Sequence, residues 1–215
     1  MQKREVVRRI AESGVIPVVR VRTQDSALRA IEALVEGGID VVEVTMTIPR
    51  ATVVLEELSK RFGGAVLLGA GTVLDAETAR ACLLAGASFL VSPIADEALI
   101  RCGRTYGAPV LAGALTPTEI VCAWRAGADL IKVFPCAALG GPAYVKALKG
   151  PLPQIDLVPT GGVSLDNVGA FLRAGAIAVG AGTDLVDPHA PPGEESAVRE
   201  RARRYRDAVS EARAG

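Results

Sequence analysis

One lysine and one glutamate in this 215-residue chain lie where charged side chains are costly. Lys132 sits in Leu130-Ile131-Lys132-Val133, and Glu43 sits in Val41-Val42-Glu43-Val44-Thr45. A charge in a strand that is apolar on both faces needs a partner or a role. Burial disfavours the charged form of an amine, so a buried lysine offers a nucleophilic amine near neutral pH. A carboxylate facing it would complete the requirements of imine chemistry: the amine forms an iminium with a ketone, and the acid moves the protons. The same residues also allow a plainer reading, with Lys132 snorkelling outward or held in an ordinary salt bridge to Glu43. The sequence leaves both open.

Other chemistries have little to work with. His189, in Asp187-Pro188-His189-Ala190-Pro191-Pro192-Gly193, is the only histidine. Zinc sites and Ser-His or Cys-His catalysis would rest on that one loop residue, so no metal or cofactor is expected. Cys82, Cys102, Cys122 and Cys136 form no Cys-x-x-Cys pair and read as free, mostly buried thiols. Acidic and basic residues balance at 24 each, which removes the basic surplus of a nucleic-acid binder. No apolar run reaches the roughly 18–20 residues that a membrane span requires. Residues 1–14 lack the uninterrupted apolar stretch of a secretory signal. The expectation is a soluble, cytoplasmic protein with neither nucleic-acid nor membrane partners.

The elements that position Lys132 and Glu43 follow from a weak internal repeat. Gly38, Gly86, Gly127 and Gly175 each end a helical pattern and precede an apolar run, as glycine at a left-handed C′ position does. They are 48, 41 and 48 residues apart, which fits two strand–helix units per interval. Intervening apolar runs occur at 66–70, 109–113 and 156–160, and one more opens the chain at 15–20. Eight strands result, alternating with helical patterns such as 25–36, 51–62 and 116–126. This order predicts a (β/α)₈ TIM barrel forming a single domain over 1–215. An open doubly wound sheet would have a Gly-x-Gly-x-x-Gly turn after its first strand, where this chain has Arg20-Val21-Arg22-Thr23. Residues 1–13 carry Val6, Val7 and Ile10 at helical spacing and predict an extra helix closing the bottom of the barrel. The proline-rich segment 188–193 reads as a loop before a last helix over 194–213.

Catalytic groups of such barrels stand at the C-terminal ends of the strands. That rule selects Arg20, Glu43, Thr45, Thr72, Pro93, Thr116, Lys132, Thr160 and Thr183. The glycine-rich ends of strands seven and eight, Thr160-Gly161-Gly162-Val163-Ser164 and Gly180-Ala181-Gly182-Thr183-Asp184, are phosphate-site candidates, with backbone amides and hydroxyls to offer. Strands two and six lie opposite each other in a ring of eight. Both are even-numbered, so Glu43 and Lys132 can share a layer.

These residues fall in six motifs: Gly38-x-x-x-x-Glu43-Val44-Thr45, Gly69-Ala70-Gly71-Thr72-Val73, Val91-Ser92-Pro93, Leu115-Thr116-Pro117-Thr118-Glu119, Ile131-Lys132-Val133-Phe134-Pro135 and Pro159-Thr160-Gly161-Gly162-Val163. In this order, along nearly the full length, the chain resembles the 2-keto-3-deoxy-6-phosphogluconate (KDPG) / 4-hydroxy-2-oxoglutarate (KHG) aldolase family. The resemblance implies a metal-independent class I aldolase, a homotrimer, acting on a phosphorylated keto-deoxy sugar acid. It implies Lys132 as the imine-forming residue and Glu43 as the general acid/base. It places Thr72 at the substrate carboxylate, Pro93 and Phe134 along the pocket, and Thr160, Gly161, Gly162, Gly182 and Thr183 at the phosphate. Many members carry an arginine two residues after Glu-Val-Thr; here that position is Thr47. Arg20 is the expected replacement, because a guanidinium fits a carboxylate in a bidentate manner, and Arg50 is the second choice. Other readings are the galactonate-type epimer, an unphosphorylated hydroxy-oxoglutarate substrate, a barrel isomerase or synthase with Glu43 as base, and a silent phosphosugar-binding barrel.

Overall fold

The computed structural model describes residues 2–189 and 193–214. Residues 190–192 of the expected proline-rich loop lie outside the described residues. The chain runs α1 (Lys3–Ser13), β1 (Val15–Val19), α2 (Gln24–Glu36), β2 (Val41–Thr45), α3 (Ala51–Phe62), β3 (Leu67–Gly71), α4 (Ala76–Leu84), β4 (Phe89–Val91) and α5 (Glu97–Thr105). It continues through β5 (Val110–Ala114), α6 (Pro117–Ala126), β6 (Leu130–Val133), a 3-10 turn (Cys136–Leu139), α7 (Pro142–Lys149), β7 (Leu157–Pro159), α8 (Val168–Arg173), β8 (Val179–Ala181) and α9 (Glu195–Ala214). From β1 to β7 each strand pairs in parallel with the next, and β1 pairs with β8. A single parallel bridge, Thr160 to Gly180, joins the β7 and β8 ends and closes the ring. The eight-stranded barrel and the additional N-terminal helix agree with the sequence expectation. The third and fifth strands begin one residue later than the apolar runs suggested, at Leu67 and Val110.

Local chemistry explains the repeated unit. Gly38, Gly86, Gly127 and Gly175 all have φ between +91° and +102°, so each turn from helix to strand needs a residue without a Cβ penalty. At the other end of the unit, Thr23, Asp75, Asp96 and Thr116 accept backbone N–H groups at the starts of α2, α4, α5 and α6. Such caps are typically worth ~1 kcal/mol each.

The alternation of side chains along each strand sorts the interior into two zones. Val41, Leu67, Phe89, Leu111, Leu130 and Val158 point inward at the N-terminal end of the barrel, where Val6 and Ile10 of α1 plug the opening. Each fully buried aliphatic side chain there contributes roughly 1.5–3 kcal/mol. Two residues further along the strands, the inward positions become polar or small: Glu43 after Val41, Lys132 after Leu130, Thr160 after Val158. The dry plug thus forms the floor on which the polar layer stands.

Candidate active site

Glu43 and Lys132 reach the barrel axis from opposite strands, β2 and β6, and are only 2% and 5% exposed. Lys132 Nζ lies 3.8 Å from Glu43 Oε1. This exceeds the ~2.7–2.9 Å of a charge-assisted hydrogen bond. Glu43 Oε1 is buried and has no hydrogen-bond partner among the described residues. A buried ion pair that serves stability needs close geometry and satisfied lone pairs. This pair has neither; it holds a free carboxylate oxygen opposite an amine. Burial pushes the Glu43 carboxyl above its ordinary range, against the opposing pull of Lys132 and then of Arg20. Its proton affinity thereby moves toward neutral pH, where a general acid/base works best.

Glycines make the space. A Cβ at Gly71 of β3 would collide with the Glu43 carboxylate, and a Cβ at Gly113 of β5 would collide with the Pro93 carbonyl. Gly113 is also the residue of β5 paired with Lys132. Neither glycine is among the candidate site residues drawn from the sequence, although a glycine inside an apolar strand signals a close approach.

Above this layer, a cavity of about 200 Å³ is lined by Arg20, Phe134, Thr160, Gly161, Gly162, Gly182 and Thr183, with Val18, Val163, Gly180, Val186 and Pro188 completing it. The Phe134 ring centroid is 5.5 Å from Lys132 Nζ, so the ring connects the amine to the glycine loops. Seven of the residues selected from sequence therefore line one cavity; Lys132 and Glu43 do not line it themselves, and Phe134 stands between it and the amine.

Other candidates are placed differently. Thr72 follows β3 with φ of +59°, a conformation rarely adopted by β-branched residues and characteristic of functional constraint. Pro93 follows β4 and lays its backbone over Gly113. Thr47 is exposed and its hydroxyl is 2.8 Å from that of Thr45, which donates to Val19 O at 2.9 Å. Arg50 is exposed at the start of α3, away from the cavity that Arg20 lines. Thr116 is a structural residue: its Oγ1 accepts the Glu119 N–H, and Glu119 returns a carboxylate to the Thr116 N–H. The reciprocal capping box engages its hydroxyl as an acceptor. Among the described residues no group of three or more His, Cys, Asp and Glu side chains is placed to hold a metal ion, and no helix is long and apolar enough to cross a membrane.

A parallel (β/α)₈ barrel with a buried amine and carboxylate inside the ring and a glycine-lined cavity at its strand ends is the framework of a barrel enzyme acting at the C-terminal face of its strands. The family description "Aldolase: KDPG and KHG aldolase" matches residues 6–197, and the chain belongs to that aldolase family. It is 37% identical over 161 residues to a 2-dehydro-3-deoxy-phosphogluconate aldolase of Pseudomonas aeruginosa, covering 75% of this chain and 73% of the relative. It is 36% identical over 171 residues to a 2-dehydro-3-deoxy-6-phosphogalactonate aldolase of Escherichia coli, covering 79% of this chain and 83% of the relative. Among solved structures it is similar to a KDPG aldolase of Legionella pneumophila with pyruvate captured as a covalent carbinolamine intermediate. That similarity has a TM-score of 0.80 and 31% identity, covering 99% of this chain and 98% of the other.

Proposed function

We propose that this chain is a class I aldolase that cleaves 2-dehydro-3-deoxy-6-phosphogluconate to pyruvate and D-glyceraldehyde 3-phosphate. The observation that carries the reading is the unpartnered, buried Glu43 Oε1 facing Lys132 Nζ at 3.8 Å. The Lys132 amine adds to the C2 ketone to give a carbinolamine, and loss of water gives the iminium. Glu43 takes the C4 hydroxyl proton. The C3–C4 bond then breaks, its electron pair entering the iminium to form a neutral enamine as the aldehyde leaves. Protonation at C3 and hydrolysis release pyruvate and restore the amine. Arg20 and Thr72 hold the carboxylate end, Pro93 and Phe134 line the pocket, and the amides and hydroxyls of Thr160–Gly162 and Gly182–Thr183 receive the phosphate. The covalent pyruvate adduct of the Legionella relative supports the imine step. By the same resemblance the chain is a cytoplasmic homotrimer requiring no cofactor, and exposed Leu84, Tyr106 and Trp124 offer apolar surface for assembly.

Borohydride reduction in the presence of pyruvate, followed by peptide mass mapping, tests this directly. The expected product is a pyruvate-derived adduct on Lys132. Absence of the adduct together with an active Lys132→Ala variant rejects the mechanism. Steady-state assays with the gluconate acid, its galactonate epimer and 4-hydroxy-2-oxoglutarate rank the substrates, and the phosphorylated gluconate acid is expected to have the highest kcat/KM.

A further inference from the structure

The two glycine loops come from β7 and β8, and the sheet does little to fix one relative to the other. Among the described residues the Thr160–Gly180 bridge and one backbone hydrogen bond at the other end, from the Ile177 N–H to Leu157 O at 3.1 Å, join these strands. Side chains supply the rest. Asp184, in the loop after β8, accepts the Leu165 N–H of the loop after β7 at 3.0 Å through Oδ2. The same oxygen accepts the Tyr205 hydroxyl at 2.5 Å. Tyr205 is fully buried on α9, so its hydroxyl is a fixed point of the helical shell rather than a mobile surface group. Asn167 closes the β7 loop on itself: its Oδ1 accepts the Ser164 N–H at 2.9 Å, and its Nδ2 donates to Gly162 O at 2.8 Å. None of Asn167, Asp184 and Tyr205 lines the cavity.

We infer that Asp184, Tyr205 and Asn167 are positioning residues that set the spacing of the two glycine loops and thereby the preference for phosphorylated over unphosphorylated substrate. The inference rests on the reading of those loops as the phosphate end. Amides recognise a phosphoryl group by converging on it, so a small change in loop separation loosens the grip on phosphate. The amine and carboxylate stand on β6 and β2, within the barrel rather than on the loops, so imine chemistry is independent of this clamp.

Tyr205→Phe removes one donor and keeps the buried ring, and Asn167→Ala acts outside the core should Tyr205→Phe fail to fold. Both are assayed with the phosphorylated acid and with 4-hydroxy-2-oxoglutarate, and by the rise in Tm that inorganic phosphate gives. Expected is an increase of about 10-fold in KM for the phosphorylated acid, the scale of one lost charge-assisted hydrogen bond. Turnover of 4-hydroxy-2-oxoglutarate and borohydride trapping of pyruvate should be unchanged, and the phosphate-induced rise in Tm should disappear. A parallel loss on both substrates, or an unchanged substrate ratio, overturns the inference. Should the parent chain cleave neither substrate, the aldolase reading fails, and the phosphate-induced Tm rise alone decides the clamp. A rise present in the parent and lost in the variants supports it, and no rise in the parent overturns it.

Discussion

Gly71 on β3 keeps open the volume that the Glu43 carboxylate on β2 occupies, since a Cβ at Gly71 would overlap Glu43 Oε1. The collision involves a side chain that is fully buried and cannot swing into solvent. Gly71→Ala is therefore expected to destabilise the fold by about 1–3 kcal/mol, as overpacking of a tight core does. It should also reduce turnover by turning Glu43 away from Lys132. Denaturant midpoints and kcat measured on the same samples check this; an alanine variant with parental kcat would show that the carboxylate position is unimportant.

Glu43→Gln should separate imine formation from bond cleavage. Pyruvate should still be trapped on Lys132, while turnover falls by about 10²–10⁴, the usual weight of a general acid/base. The pH dependence carries a second signature. Burial raises the folded Glu43 pKa above its ordinary 4.5, so the acid limb of kcat/KM should lie above that value and vanish in the glutamine variant. Because the folded pKa exceeds the unfolded one, the stability contribution of the carboxyl is present below the unfolded value and is lost as pH rises through the folded value. Urea titrations of both proteins should therefore show the variant gaining relative to the parent as pH increases from about 4 toward 7.

Arg20 and Arg50 are the two candidates for the proposed carboxylate-binding role, since position 47 carries a threonine. Arg20 lines the cavity and acts electrostatically on Glu43, whereas Arg50 lies outside the cavity. Arg20→Ala should weaken pyruvate capture by about 10–100-fold, the cost of a lost charged hydrogen bond. Arg50→Ala should change it less than about 3-fold, as exposed charges far from a ligand do. Equal small effects on pyruvate capture would remove Arg20 from the carboxylate site. A loss restricted to the phosphorylated substrate would place it at the opposite end of the cavity.

Thr72 holds φ at +59°, where a β-branched residue is strained by about 1–2 kcal/mol. Thr72→Gly relieves that strain and Thr72→Ala largely retains it. The glycine variant should be the more stable of the two by about 1 kcal/mol. Both should lose substrate affinity to a similar extent, because both lack the hydroxyl. Thermal unfolding and KM on the pair decide whether the strained backbone is maintained for the side chain it presents.

Several of these residues were legible before any folding. Lys132 and Glu43 stood out because a charge inside an apolar strand violates the pattern that makes the strand. Gly38, Gly86, Gly127 and Gly175 marked the repeated unit because a left-handed turn tolerates few other residues. These are local rules, set by backbone sterics and by side-chain alternation, and a linear sequence displays them. They gave eight strands and their inward faces, while the family came from the likeness of six motifs and the match over residues 6–197. Ring closure decided the rest, since it sets distances between residues far apart in the chain. Only the closed barrel brings Lys132 to 3.8 Å from Glu43 and leaves Oε1 unpartnered, the geometry on which the proposed reaction rests. Likewise, only tertiary packing brings Tyr205 of the last helix against Asp184, whereas the Thr116–Glu119 cap and the Thr45–Thr47 contact are local. Long-range hydrogen-bond partners belong to the three-dimensional neighbourhood, and periodicity carries no information about them.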